Sequence, residues 1–335
     1  MNGRVPHRLW LLAVLLCCIA ATTDAASSHA QPQKRAGITL QRLHFEPPAL
    51  ASESMRVTVY LPPRYAAQAA AGRRYPVLYA NDGQDMAAVG LQPTLARLYR
   101  AHAIEPLIVV AIDMPADRAG AYGLSDRAAA RSVVGGSQIG PIGTRAQAYS
   151  QWLVTQLVPW VDAHYRTRPA ARARTILGWS LGALNAFNLA WQYPEVFGRL
   201  GAFSPSFWLA ADRTSAAAIQ RTRLAQRMVD GGARRPGLMM WFAIGTAEET
   251  SDRDGDGVID AVDDLHDLID GYDDAGVRLR GLRQLGYSVN LHGASAPARR
   301  RDVTLFTLAG GQHNQASWHR MLAPFLRWAY ARPTP

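Results

Sequence analysis

Residues 174–191, R-T-I-L-G-W-S-L-G-A-L-N-A-F-N-L-A-W, constrain the fold of this chain more than any other stretch. Thr175, Ile176 and Leu177 read as a short buried strand. Residues 183–191 are rich in alanine and leucine and free of glycine and proline, so they suit a helix. Between them stands Gly178-Trp179-Ser180-Leu181-Gly182, the G-x-S-x-G spacing of a strand-to-helix elbow. A serine hydroxyl is a weak nucleophile unless a base and oxyanion donors are held beside it. A tight turn lifts such a hydroxyl above the sheet edge, and glycines two residues to either side let the backbone close around it. The amide of Leu181, at the helix start, would then face the developing negative charge. The same five residues also fit a plain helix-capping turn with Ser180 as N-cap, so the rest of the chain has to decide.

The remaining pattern alternates apolar strands with helical segments. Strands are expected over residues 38–45, 55–61, 75–80, 107–112, 175–177, 200–203, 238–244 and 303–308, the first two as an antiparallel pair at a sheet edge. Helices are expected over residues 94–102, 148–165, 183–191, 213–228 and 315–327, with broken helical periodicity over 264–285. Strands apolar throughout, separated by helices, predict an α/β fold: a mainly parallel central sheet with helices on both faces. No linker or repeat divides residues 38–335, which read as one domain. Residues 113–144 read as a long, glycine-bearing irregular loop over the C-terminal sheet edge, where it would wall a cleft.

The chain has 335 residues and a formal net charge of +10, carried almost wholly by arginine, since Lys34 is its only lysine. The arginines are scattered and not interleaved with aromatic residues, which argues against a nucleic-acid interface. Arg4 and Arg8 precede an apolar run at residues 9–20, followed by small residues with cleavage points after Ala25 or Ala30. This predicts a signal peptide over residues 1–25, a disordered segment over 26–37, and a periplasmic or extracellular protein. Cys17 and Cys18 would leave with the signal, and bulky Leu15 and Leu16 argue against a lipid anchor. No stretch has the length of a stable membrane span.

His313, in the glycine loop A-G-G-Q-H-N after the last strand, fits the base, with one ring nitrogen for Ser180 and the other for a carboxylate. His319, His292 and His266 lack that strand-end placement. For the acid, Glu248 is preferred, three residues past Gly245, with Glu249 and Asp252 open. Trp179, Phe207 and Trp208 are candidate substrate contacts, although an aromatic pair such as Phe207-Trp208 serves a core equally well. The polar loop after the strand at 75–80 contains Asp82, which could brace it, and Gly83 and Gln84, whose amides could complete the oxyanion site. A separate segment, D-R-D-G-D-G-V-I-D-A-V-D, has the spacing of a calcium loop. Asp252, Asp254, Asp256, Val258, Asp260 and Asp263 occupy its ligand positions, and Gly257 its turn. Asp263 stands where a longer glutamate is usual, which weakens the closure. A calcium ion there would be structural; the chemistry itself calls for no cofactor.

Taken together, V-Y-L-P-P-R-Y at residues 59–65, Y-P-V-L-Y-A-N-D-G-Q at 75–84, the elbow, S-P-S-F-W at 204–208, G-T-A-E-E at 245–249 and G-Q-H-N-Q-A-S-W at 311–318 resemble the esterase family of α/β-hydrolases. That family includes feruloyl esterases, S-formylglutathione hydrolase, siderophore esterases and mycolyltransferases, and the resemblance covers roughly residues 55–330. It implies Ser180 as nucleophile, His313 as base, an acid near Glu248, and oxyanion amides from Leu181 and the loop at Gly83 and Gln84. It also implies a small-molecule or glycan-linked ester as substrate, with hydrolysis and acyl transfer differing only in the second nucleophile. Ala183 replaces the glycine common after the elbow, and the acidic insert departs from the family pattern.

Overall fold

The computed structural model describes residues 37–50, 54–274, 276–293 and 301–332. The expected signal peptide and the polar segment behind it, as far as residue 36, lie outside the described residues. The chain opens with β1 (Thr39–Phe45) and β2 (Met55–Leu61), paired antiparallel from Thr39 against Leu61 to Phe45 against Met55. Next come β3 (Val77–Ala80), α1 (Leu91–Arg100) and β4 (Ile108–Ile112). The segment expected to be irregular holds α2 (Arg118–Ala121) and two hairpins. The first hairpin joins β5 (Leu124–Asp126) to β6 (Arg131–Val133), and the second joins β7 (Gly135–Ser137) to β8 (Gly140–Ile142). These strands are three residues each, too short for alternation to announce them.

The helix expected over 148–165 is α3 (Ala146–Trp152), a π-helical stretch (Leu153–Leu157) and α4 (Val158–His164). Then follow β9 (Arg174–Trp179), α5 (Leu181–Gln192) and β10 (Arg199–Phe203). The next expected helix is two, α6 (Ala216–Thr222) and α7 (Leu224–Asp230), because Arg223 between them has a non-helical backbone, ψ 120°. Its guanidinium is buried and bound to Asp264 and Asp267, so a tertiary ion pair overrides the local helical preference. β11 (Met239–Gly245) and α8 (Asp260–Asp270) precede a small hairpin of β12 (Tyr272–Asp274) and β13 (Val277–Leu279). The chain closes with β14 (Val289–Asn290), β15 (Val303–Leu308) and α9 (Gln315–Tyr330).

One nine-stranded sheet, ordered β1-β2-β4-β3-β9-β10-β11-β15-β14, organises these elements. β1, β2 and β4 pair antiparallel, and all pairings from β4 to β14 are parallel. This is the α/β-hydrolase architecture. β3, β4 and β9 are buried at every residue, as parallel strands covered on both faces must be. Successive residues feed opposite layers. Val77, Tyr79 and Ile176 pack into the layer containing Phe187 and Trp191 of α5, whereas Leu78, Ala80 and Leu177 pack into the one containing Met321 and Phe325 of α9. Among the described residues no helix is long and apolar enough to cross a membrane.

Candidate active site

Five adjacent parallel strands, β3, β9, β10, β11 and β15, end in loops that carry Asp82, Ser180, Ser204, Glu248 and His313 respectively. Parallel strands all finish at one edge, so the topology alone gathers residues spread over most of the chain. Three of these strand ends have a non-glycine residue at positive φ: Asp82 at 56°, Ser180 at 57° and Ser204 at 48°. Each such conformation costs about 1–3 kcal/mol, which the surrounding packing has to offset.

The elbow shows how. A Cβ added at Gly178 would come within 2.2 Å of the Gly182 carbonyl oxygen, and one at Gly182 within 2.3 Å of the Asp82 carboxylate. Both glycines are therefore fixed by contact. Leu184 N–H donates to the Ser180 carbonyl at 3.1 Å and starts α5, leaving Leu181 N–H in the first turn without an intrahelical acceptor. Ser180 Oγ lies 3.5 Å from Ser206 Oγ.

Across the edge, Glu248 divides its two oxygens. Oε2 accepts from His313 Nδ1 at 3.0 Å. Oε1 accepts from Gly245 N–H at 2.7 Å and from Ser204 Oγ at 2.5 Å. The Glu248 side chain is 2% exposed, while His313 is 40% exposed, so the acid is sheltered and the imidazole faces the opening. A proton on Nδ1, held by the carboxylate, leaves Nε2 as the free lone pair. The loops meet without intervening side chains: a Cβ on Gly245 would lie 2.3 Å from the Gly311 carbonyl oxygen. Of the carboxylates left open by sequence, Glu248 is the one that reaches His313. Burial, then the nearby charge of Asp260, pushes the Glu249 carboxyl up. Asp252 accepts from the amides of Gly255 and Gly257 in the exposed acidic loop. His319 is likewise engaged elsewhere, its Nδ1 lying 2.9 Å from the Val89 carbonyl oxygen.

The loop after β3 becomes a 3-10 turn, Gly83–Met86. A Cβ on Gly83 would lie 2.8 Å from the backbone of Ala111 and Ile112. Gln84 is exposed, and its Oε1 accepts from Met114 N–H at 2.9 Å. Asp82 braces the loop. Both of its oxygens receive Arg118, at 2.8 and 3.0 Å, in the fork geometry that suits a guanidinium. Arg118, from the hairpin-bearing insert, was not singled out for this role by its sequence neighbourhood.

Two candidate substrate contacts are corrected. Trp179 is buried, stacked on Trp318 with ring centroids 5.5 Å apart, and donates Nε1–H to Asp85 at 3.0 Å. Phe207 is buried edge-on against Phe187 and Phe242. Trp179 ends β9 and packs toward α9, and Phe207, in the loop after β10, packs on α5. Trp208 stays partly exposed, beneath the Arg213 guanidinium.

In the acidic segment, ligand atoms of Asp252, Asp254 and Asp256 lie within 4.8 Å of one another, so the cluster can coordinate a cation. Gly257 has φ 90° at the turn. Burial, then the charges of Asp256 and Asp254, pushes Asp263 up to about 7, a sign of crowded carboxylates. Asp260 is committed elsewhere. It accepts from Arg253 N–H at 2.7 Å and pairs with the Arg253 guanidinium at 3.2 Å, so it does not join the cluster directly.

A family profile described as "Putative esterase" matches residues 49–263, and the chain belongs to that esterase family. It is 25% identical over 159 residues to a Bacillus subtilis (strain 168) protein named "Uncharacterized protein YbbA". That match takes in 46% of this chain and 57% of the relative's length, so the chain spans little more than half of it. Among solved structures, a ferulic acid esterase superposes with a TM-score of 0.57 at 16% identity, covering 88% of this chain and 99% of that one. The enterobactin esterase from Shigella flexneri, solved with enterobactin, gives 0.60 at 16% identity, covering 89% and 58%. At such identities the likeness establishes the fold.

Proposed function

We propose that this protein is an exported serine carboxylic-ester hydrolase working through Ser180, His313 and Glu248. The observation that carries the reading is the His313 Nδ1–Glu248 Oε2 hydrogen bond at 3.0 Å, formed on the same sheet edge as a serine at φ 57° in a glycine-flanked elbow. In the proposed first step, Ser180 Oγ attacks the ester carbonyl while His313 Nε2 takes its proton. Glu248 keeps Nδ1 protonated and supports the imidazolium. The amide of Leu181 and one from Gly83 or Gln84 take up the oxyanion. The imidazolium returns the proton to the leaving alcohol, and water activated by the same histidine releases the acid.

The substrate we propose is an aryl, siderophore or sugar ester. The ferulic acid and enterobactin esterases of like fold favour the first two classes. The apolar run behind Arg4 and Arg8 supports export. We further propose calcium at Asp252, Asp254 and Asp256, with Val258 and Asp263 as additional oxygen donors and a water in front of Asp260. Loop spacing and the turn at Gly257 support this. Its role would be to fix the segment that follows Glu248, away from the reacting bond.

Release of p-nitrophenol from short acyl esters by the purified protein, beside Ser180→Ala, tests the main reading. Turnover is expected in the wild type and should fall at least about 10³-fold in the variant, which retains the wild-type thermal transition. Equal turnover in both would remove Ser180 from the mechanism.

A further inference from the structure

The bonds to Glu248 do not stop at Glu248. Trp318, in the first turns of α9, donates Nε1–H to Ser204 Oγ at 2.9 Å, and Ser204 Oγ lies 2.5 Å from Glu248 Oε1. The direction of this relay is set by chemistry. An indole nitrogen is a donor and never an acceptor, so Ser204 must accept from Trp318. Its own hydroxyl proton is then free for Glu248. With Gly245 N–H on the same oxygen at 2.7 Å, Oε1 is occupied by two donors, and Oε2 is left for His313.

Trp318 is itself fixed from two sides. It stacks on Trp179, the residue before Ser180, with an interplanar angle of 15°. It also meets the His313 ring nearly perpendicular, at 82° and 5.5 Å between centroids. One indole thus touches the elbow, the base, and the hydroxyl that holds the acid. Ser204 is buried and kept at φ 48°, a conformation a serine adopts only when its surroundings impose it.

We infer that Ser204 and Trp318 are positioning residues for the hydrolytic triad, a donor relay that presents Glu248 to His313 through one defined oxygen. The inference rests on the triad reading above. Both side chains are buried, so they act through Glu248. Their contribution is to keep Oε2 aimed at His313, since the two donors on Oε1 hold the carboxylate in one orientation.

The test is a double-mutant cycle in the full-length enzyme on a p-nitrophenyl ester, with Ser204→Ala, Trp318→Phe and the pair, beside Ser180→Ala. Trp318→Phe keeps an aromatic ring on Trp179 and deletes the donor together with part of the packing volume, so its thermal transition is read beside its kinetics. Each single variant should lower kcat about tenfold with KM within about twofold, and the pair should be no worse than about threefold below the weaker single, because both cut one chain. The His313 Nδ1 proton resonance should move or broaden in both singles. Ser204→Gly, which relieves the positive φ but also lacks the hydroxyl, should lose activity as Ser204→Ala does. Unchanged kcat in both singles, multiplicative losses, or recovery in Ser204→Gly would overturn the relay. Full activity in Ser180→Ala would instead overturn the triad reading beneath it.

Discussion

Glycine is used in two opposite ways at the elbow and in the acidic loop. At Gly178 and Gly182 the space is gone: an added Cβ meets backbone or carboxylate at 2.2 and 2.3 Å. At Gly255 and Gly257 nothing lies within 4 Å, and what demands glycine is φ, 78° and 90°. The first region is held by the protein's own packing, between β9, α5 and the Arg118–Asp82 pair. The second is a solvent-facing turn whose carboxylates crowd one another. An elbow of this kind is in its working shape before any ligand arrives. A loop of the other kind gains order from whatever neutralises it.

That contrast can be broken by experiment. Gly178→Ala should have the largest effect, since its methyl would overlap the first turn of α5; the expected outcome is loss of soluble, active protein, read by expression and thermal melting. Normal melting with normal turnover would show that the elbow is looser than the packing implies. Next comes Gly257→Ala, for which the cost is conformational only, about 1–2 kcal/mol. It should lower the melting temperature by a few degrees and leave ester turnover near wild type.

Calcium should sharpen the same contrast. Added at about 100 times its dissociation constant it should stabilise the protein by roughly 2.7 kcal/mol over a chelated sample, and Asp254→Asn should abolish the shift. Identical melting with calcium and with chelator would return residues 252–263 to a solvated turn. The smallest effect concerns Asp263. Its folded pKa is raised, so the folded state binds this proton more tightly than the unfolded state. The resulting stability is present below the unfolded carboxyl value and is lost as pH rises through about 7. In chelator, Asp263→Asn should therefore melt higher than wild type at pH 8 and lose most of that advantage at pH 5. An equal gain at both would point to packing instead of charge.

Much of this was legible in the sequence, for physical reasons. Strands buried on both faces are mostly apolar, and β3 and β4 announced themselves that way, whereas β9 opens on a buried Arg174, paired with Asp162, and Thr175 and showed only its Ile176 and Leu177. That Ser180 and His313 stand on loops at the ends of β9 and β15 was readable because a strand-to-helix elbow and a strand-end glycine loop each need residues at fixed local offsets. Glu248 was preferred among three neighbouring carboxylates, and the fold separates them by placing Glu248 against His313 of the β15 loop. Ser204 and Trp318 were not readable as a pair. They lie 114 positions apart, and a hydrogen bond between side chains on different strand-end loops leaves no periodicity. Arg118 and Asp82, 36 positions apart, escaped for the same reason. Trp179 and Phe207 were misplaced because an aromatic near the elbow serine has the same letters whether it faces a cleft or a core.

The most direct test of the central claim is covalent. The wild-type protein and its His313→Ala variant would be treated with a fluorophosphonate, digested, and the adduct located by mass spectrometry. The account predicts one modified serine in the wild type, Ser180, and labelling slowed by at least about 10²-fold when the imidazole is removed. An adduct on another serine, or equal labelling in both proteins, would contradict it.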